Sequence, residues 1–168
     1  SYLDEYSRAI DGVYRSKLGL ATAQAGDEEL IAGLLQLLQA SRTDWTLFWR
    51  ALARLPRDPV PGADAAVRDL IVDRAAFDAW AVRYRARLVS EGSVEAPRGP
   101  GMKRGNPNVV LRNHLAQAAI EQAETGDYSE IAALFELLRR PYGEQSGMDA
   151  YAAEPPADQR NIEVSCSS

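Results

Sequence analysis

A single cysteine, Cys166, stands two residues from the end of this 168-residue chain, in the polar run Val164-Ser165-Cys166-Ser167-Ser168. Thiolates attack disulfides and bind metals, and a thiol on a polar end is placed for exchange with a distant partner rather than for packing. An inert thiol and a redox thiol are both open on the residues alone. The lone histidine, His114, has a pKa suited to acid–base work, but no hydroxyl or thiol nucleophile lies beside it in sequence. It reads as a boundary histidine. Gly99-Pro100-Gly101 and Gly105, with Lys103 and Arg104, are the ingredients of a phosphate cradle. Their spacing fits neither G-x-G-x-x-G nor G-x-x-x-x-G-K-S/T, so residues 92–105 read as a Gly/Pro-rich loop.

Arg112 is the residue that a helical wheel singles out. From Val109 to Glu124, Leu111, Leu115, Ala119, Ile120 and Ala123 make a broad apolar face, with Arg112 in its middle. A guanidinium there needs a carboxylate or several carbonyls. The partner is expected within this helical region or, as the alternative, in sequence that lies outside this chain. Arg83, Arg85 and Arg87 do not share one helix face, and favourable interaction with a helix C-terminus explains them better than nucleic acid does. Trp45, Phe48 and Trp49 read as core, with a docking surface for a partner domain as the alternative. No catalytic, cofactor-binding or metal-binding residue can be named. One cysteine excludes an internal disulfide and a cysteine-cluster zinc site.

These residues need helices to position them. Tyr2, Tyr6, Ile10, Val13 and Tyr14 recur at three- and four-residue steps, with Gly19 as a stop. A second helix opens at Asp27 and carries Leu30, Ile31, Leu34 and Leu38; a third follows Ser41 or Thr43. Asp73 opens a long one with Phe77, Trp80, Ala81, Tyr84 and Leu88. Asn106-Pro107 suits a helix start, Gly126 a stop, Asp127 a further cap, and Pro141 an end. The expectation is an all-α fold, an irregular bundle of about five or six helices over residues 1–142, with an extended and mobile tail at 143–168. The echo between Gly26-Asp27…Ile31-Ala32 and Gly126-Asp127…Ile131-Ala132 admits either a duplication or a shared way of ending one helix and starting the next.

Net charge is −5, hydrophobic content 46% and charged content 26%. These are values of a soluble globular chain, with no general reason to expect nucleic acid or an anionic membrane as partner. No apolar run approaches the ~20 residues of a membrane span. A cytoplasmic, bacterial-type protein is expected. The chain opens at Ser1 without a methionine, and it reads as the carboxyl-terminal piece of something longer.

In order along residues 106–168 come Asn106-Pro107-Asn108-Val109-Val110-Leu111-Arg112-Asn113, Gly126-Asp127-Tyr128-Ser129-Glu130, Leu138-Arg139-Arg140-Pro141-Tyr142, Tyr151-Ala152-Ala153-Glu154-Pro155-Pro156 and the terminal Cys-Ser-Ser. This succession resembles the carboxyl-terminal end of the selenoprotein O family. Lys17-Leu18-Gly19-Leu20 and Asp44-Trp45-Thr46 extend the resemblance upstream. It implies a protein with a kinase-like fold that transfers AMP from ATP, with Mg²⁺, to serine, threonine or tyrosine hydroxyls of client proteins. The nucleotide site would lie upstream, so this chain alone should be catalytically silent and should support the upstream kinase-like domain. Cys166 is similar to the family's redox position, where selenocysteine or cysteine bridges to a cysteine of the kinase-like domain. The alternative is a stand-alone helical protein–protein interaction module.

Overall fold

A computed structural model describes residues 2–160 and 162, with side chains from Glu5 onward. Among the described residues the chain is helical and has no strand. It divides into two units, Ser1–Asn106 and Pro107–Ser168.

The first unit holds α1 (Tyr2–Leu18), α2 (Asp27–Ser41), α3 (Trp45–Leu52), α4 (Ala65–Arg68), α5 (Arg74–Ser90) and α6 (Glu95–Gly105). Helix α5 is its axis. Phe77, Trp80, Ala81, Tyr84 and Leu88 fall at three- and four-residue steps and are all buried. They face Leu30, Ile31, Leu34 and Leu38 of α2, and each large apolar side chain so buried contributes roughly 1.5–3 kcal/mol. Trp80 stacks on Tyr84 at 5.0 Å between ring centroids, and its indole N–H donates to the Leu30 carbonyl at 2.9 Å. Helix α3 adds Phe48 and Trp49, in edge-to-face contact at 5.3 Å. Asp44 caps α3 through the Leu47 amide at 2.9 Å, and Asp73 caps α5 through the Ala76 amide at 2.9 Å.

Helix α6 corrects the loop expected at 92–105. Its sequence, EAPRGPGMKRG, is a poor helix former. Pro97 sits in the first turn, where its missing N–H has no intrahelical partner to lose, whereas Pro100 removes one bond from the interior. Tertiary contacts hold the helix instead. Met102 and the Arg98 side chain are buried, and a Cβ at Gly99 would stand 3.0 Å from the Ala53 carbonyl oxygen. Glycine there allows α6 to approach the end of α3. Asn106 closes the unit: its amide donates to the Met102 carbonyl at 2.9 Å and accepts from the Lys17 ammonium at 2.8 Å.

The second unit pairs α7 (Asn113–Glu124) with α8 (Ser129–Leu138), burying Ala119, Leu134, Leu137 and Val109. Asn106-Pro107 does not open its first helix. The residue before a proline is driven out of the α region, and Asn106 is extended at φ −127°. The stretch from 107 stays non-helical until Asn113, and the Asn108 and Val109 amides donate to the Pro141 carbonyl at 2.7 and 3.2 Å. Beyond Gly143 the chain is not simply extended. It makes the one-turn helix α9 (Asp149–Ala152) and a 3₁₀ turn at Ala157–Gln159. It also doubles back within the unit, where the Tyr151 hydroxyl donates to Glu130 at 3.1 Å and the Asn113 amide to the Ile162 carbonyl at 2.9 Å.

The echo between residues 26–32 and 126–132 is a shared backbone feature with different side-chain contacts. Gly26 and Gly126 adopt left-handed φ values of 91° and 88° before their helices. The aspartates that follow do different work: Asp27 is buried against Arg87, whereas Asp127 accepts from the Ser129 amide at the surface.

Candidate functional site

A cleft of about 530 Å³ opens in the first unit where the turn after α1, the turn after α5 and helix α6 meet. Ser16, Gly19, Glu91, Ser93, Arg98 and Arg104 are among its lining residues. Two buried polar networks reach its wall, through Arg98 and Glu91.

Arg98 heads the first. One terminal nitrogen donates to the Tyr84 hydroxyl at 3.2 Å; the other donates to the Leu55 carbonyl and to Glu95 at 2.9 Å. The Tyr84 hydroxyl in turn donates to the Leu18 carbonyl at 2.5 Å. Burial pushes the Tyr84 phenol up to about 12, against the partial relief of the Arg98 charge. This chain of contacts ties the ends of α1 and α3 to α5 and α6.

Arg87 heads the second. Its guanidinium donates to Asp27 at 2.6 Å, to Glu91 at 3.0 Å and to the Thr22 carbonyl at 2.7 Å. Glu91 also accepts from the Ala21 and Thr22 amides at 3.1 and 3.2 Å. Burial raises the Asp27 carboxyl, but the Arg87 hydrogen bond and charge and the Gln24 amide outweigh it, and the net shift is downward. Arg85 forms a third clamp, bidentate on Asp64 at 2.9 and 2.5 Å. Arg85 and Arg87 are therefore internal ties and present no basic surface for nucleic acid. Sequence reading missed these networks. The only signals were the i,i+4 spacing of Arg87 and Glu91 and the i,i+3 spacing of Glu95 and Arg98.

The residues singled out from sequence lie elsewhere. Arg112 does not project from a helix face, because α7 starts one residue later; it is half-buried at φ −89°, ψ 149°. His114 is half-buried in the first turn of α7, where burial first and the Arg112 charge second lower its pKa. Lys103 and Arg104 occupy the last turn of α6, complementing its negative end rather than a phosphate. Phe48 and Trp49 are core, and Trp45 is partly exposed. Cys166 lies outside the described residues.

The cleft is thus a structural junction. Every guanidinium nitrogen of Arg87 and both terminal nitrogens of Arg98 are already engaged, leaving those donors nothing for a triphosphate. No group of three His, Cys, Asp or Glu side chains suited to a metal occurs among the described residues.

The comparison that decides the family is with the group described as protein adenylyltransferase SelO, whose profile matches residues 1–139. The chain belongs to that family. Similar curated proteins include the protein nucleotidyltransferase YdiU of Paraburkholderia xenovorans (strain LB400), 48% identical over 167 residues, covering 99% of this chain and 32% of the relative. YdiU of Burkholderia thailandensis matches with the same identity and coverage. This SelO-family chain therefore spans about a third of the length of the curated relatives it matches. No helix among the described residues is long and apolar enough to cross a membrane.

Proposed function

We propose that this chain is the carboxyl-terminal helical region of a SelO-type protein adenylyltransferase. The parent transfers AMP from ATP, with Mg²⁺, to hydroxyl side chains of client proteins. Its nucleotide site lies in an upstream kinase-like domain, which this helical region buttresses. Cys166 serves as a redox-sensitive thiol that pairs with a cysteine of that upstream domain.

The observation that carries this reading is the family match over residues 1–139 in a chain about a third as long as its relatives. The cleft is consistent with it, since the Glu91 and Arg98 side chains in its wall are spent on joining helices rather than held ready for substrate. A stand-alone interaction module would also use exposed apolar side chains, but it gives no reason for the relatives' additional length.

The test is transfer of label from ATP labelled at the α-phosphate, with Mg²⁺, comparing this chain with the full-length protein, with and without reductant. Labelling by the full-length protein alone, strengthened by reductant, supports the proposal. Labelling by this chain alone refutes its accessory role. A full-length protein that labels nothing refutes the transferase assignment.

A further inference from the structure

Helix α8 is apolar on two opposite sides. Leu134 and Leu137 are buried, whereas Tyr128, Ile131 and Phe135 are 64%, 43% and 62% exposed. Steps of three and four residues put these three on one outward face, with the exposed Ala132 beside them. A surface helix ordinarily carries polar residues opposite its buried stripe. Here the outward face is apolar in the middle and charged at its two ends, by Asp127 just before the helix and Arg139 just after it. The Arg139 guanidinium lies over the Phe135 ring at 5.8 Å and contacts Glu136 at 3.2 Å. Both members of that ion pair are solvent-exposed, and such a pair contributes little and is readily exchanged for another.

We infer that this face joins two copies of the chain through an antiparallel α8–α8 contact. Its pattern is symmetric about the level of Ala133: Ile131 and Phe135 lie two residues to either side, and Asp127 and Arg139 six. A two-fold axis at that level sets Ile131 of each copy on Phe135 of the other, and Asp127 of each copy against Arg139 of the other. Tyr128 falls beside the same arginine, with its ring available to the guanidinium. Ala132 lies close to the axis, where a small side chain lets the helices approach.

Charge decides both occupant and direction. One surface supplies an apolar centre with opposite charges at equal distances from it, so a second copy turned end for end satisfies every group. A parallel copy would set Arg139 against Arg139. The face is small beside the roughly 20–30 residues a side of a stable complex, so the association belongs to the weak, concentration-dependent class. The inference goes beyond the proposed transferase role and does not depend on it.

The experiment uses Ala132→Cys, with Ser129→Cys as control, each with Cys166→Ser and each oxidised with copper phenanthroline. Position 132 should give a covalent dimer in this chain and in the full-length protein. Position 129 is exposed but lies about 100° round the helix from Tyr128, and it should give none. In sedimentation, the mass of this chain should rise with concentration toward that of a dimer. Phe135→Ser removes an exposed side chain and should abolish that rise while leaving the Tm unchanged. Arg139→Glu should weaken association at least about tenfold, because like charges then face each other twice, and adding Asp127→Lys should restore it.

A chain that stays monomeric up to ~1 mM overturns the inference. So does equal crosslinking at positions 129 and 132, or a double charge reversal that restores nothing. A full-length protein that stays monomeric, with position 132 unreactive, overturns it as well, since another part of that protein then covers the face.

Discussion

Replacing Gly19 by alanine tests how tightly α6 closes the first unit, and Gly26→Ala supplies the control. Both glycines are left-handed, at φ +69° and +91°. An L-residue in that region costs about 1–2 kcal/mol, part of which a less flexible unfolded chain offsets, leaving about 1 kcal/mol at each site. Only Gly19 has neighbours. A Cβ there would stand 2.8 Å from Cγ of Arg98, 2.8 Å from Cγ of Met102 and 2.9 Å from its sulfur, while Gly26 has open space around it. Carbon contacts are optimal near ~3.5–4.0 Å, and the atoms met are packed stems rather than free ends. Overpacking of that kind adds roughly 1–3 kcal/mol. Gly19→Ala should therefore cost about 2–4 kcal/mol and Gly26→Ala about 1 kcal/mol. At roughly 4 °C per kcal/mol for a unit of this size, the melting shifts are about 8–16 °C and about 4 °C. Tryptophan fluorescence reads the first unit selectively, because Trp45, Trp49 and Trp80 all lie in it. Adding Met102→Ala to Gly19→Ala should cost less than the sum of the two single losses. Equal losses at positions 19 and 26, or strict additivity with Met102→Ala, would refute the close packing of α6 on the α1 turn.

Arg87→Met should destabilise by about 3–5 kcal/mol in urea melts, because it strands the buried Asp27 carboxylate, and adding Asp27→Leu should restore a large part of that. The Asp27 carboxyl is held below the usual carboxylate range, so its contribution is complete above its unfolded pKa and fades as pH falls toward the lowered folded value. The stability gap between the parent chain and Asp27→Asn should accordingly narrow below about pH 4. Tyr84 ionises near 12 when folded and near 10 when unfolded, so folding stability should fall as pH rises between those values, and Tyr84→Phe should remove that loss. A spectrophotometric titration of folded protein should show its phenol ionising late. Gly101→Ala meets only the end of Arg104, at 3.8 Å, and should stabilise α6 by up to about 1 kcal/mol, slowing amide exchange there.

What the sequence made legible follows from which forces are local. The α2 and α5 periods, the Asp73 cap and the break at Gly126 depend on neighbours within a few residues, and they stand in the structure. Helix α6 was illegible because its stability comes from Arg98 and Met102 meeting partners distant in sequence, such as the Leu55 carbonyl and the turn at Gly19, against its own propensity. The wheel around Arg112 failed for the opposite reason. Its apolar spacing runs smoothly from Val109, while the backbone stays extended as far as Arg112. The candidate site was hidden in the same way. Asp27, Arg87 and Glu91 look like ordinary solvent charges until α2 and α5 are laid side by side.

The Lys17–Asn106 contact joins the first helix of its unit to the residue that ends the unit, 89 positions later. On a ribosome adding about 5–20 residues per second, the last turn of α1 waits about 5–20 s for that partner to be made. During that interval Leu18, Trp49 and Tyr84 have no finished core to enter. The glycine–proline content of the segment that completes the unit guards against premature association, since it does not favour a long-lived wrong helix. Closure of this unit is an event of late synthesis, set by when Asn106 leaves the tunnel rather than by when α1 first coils.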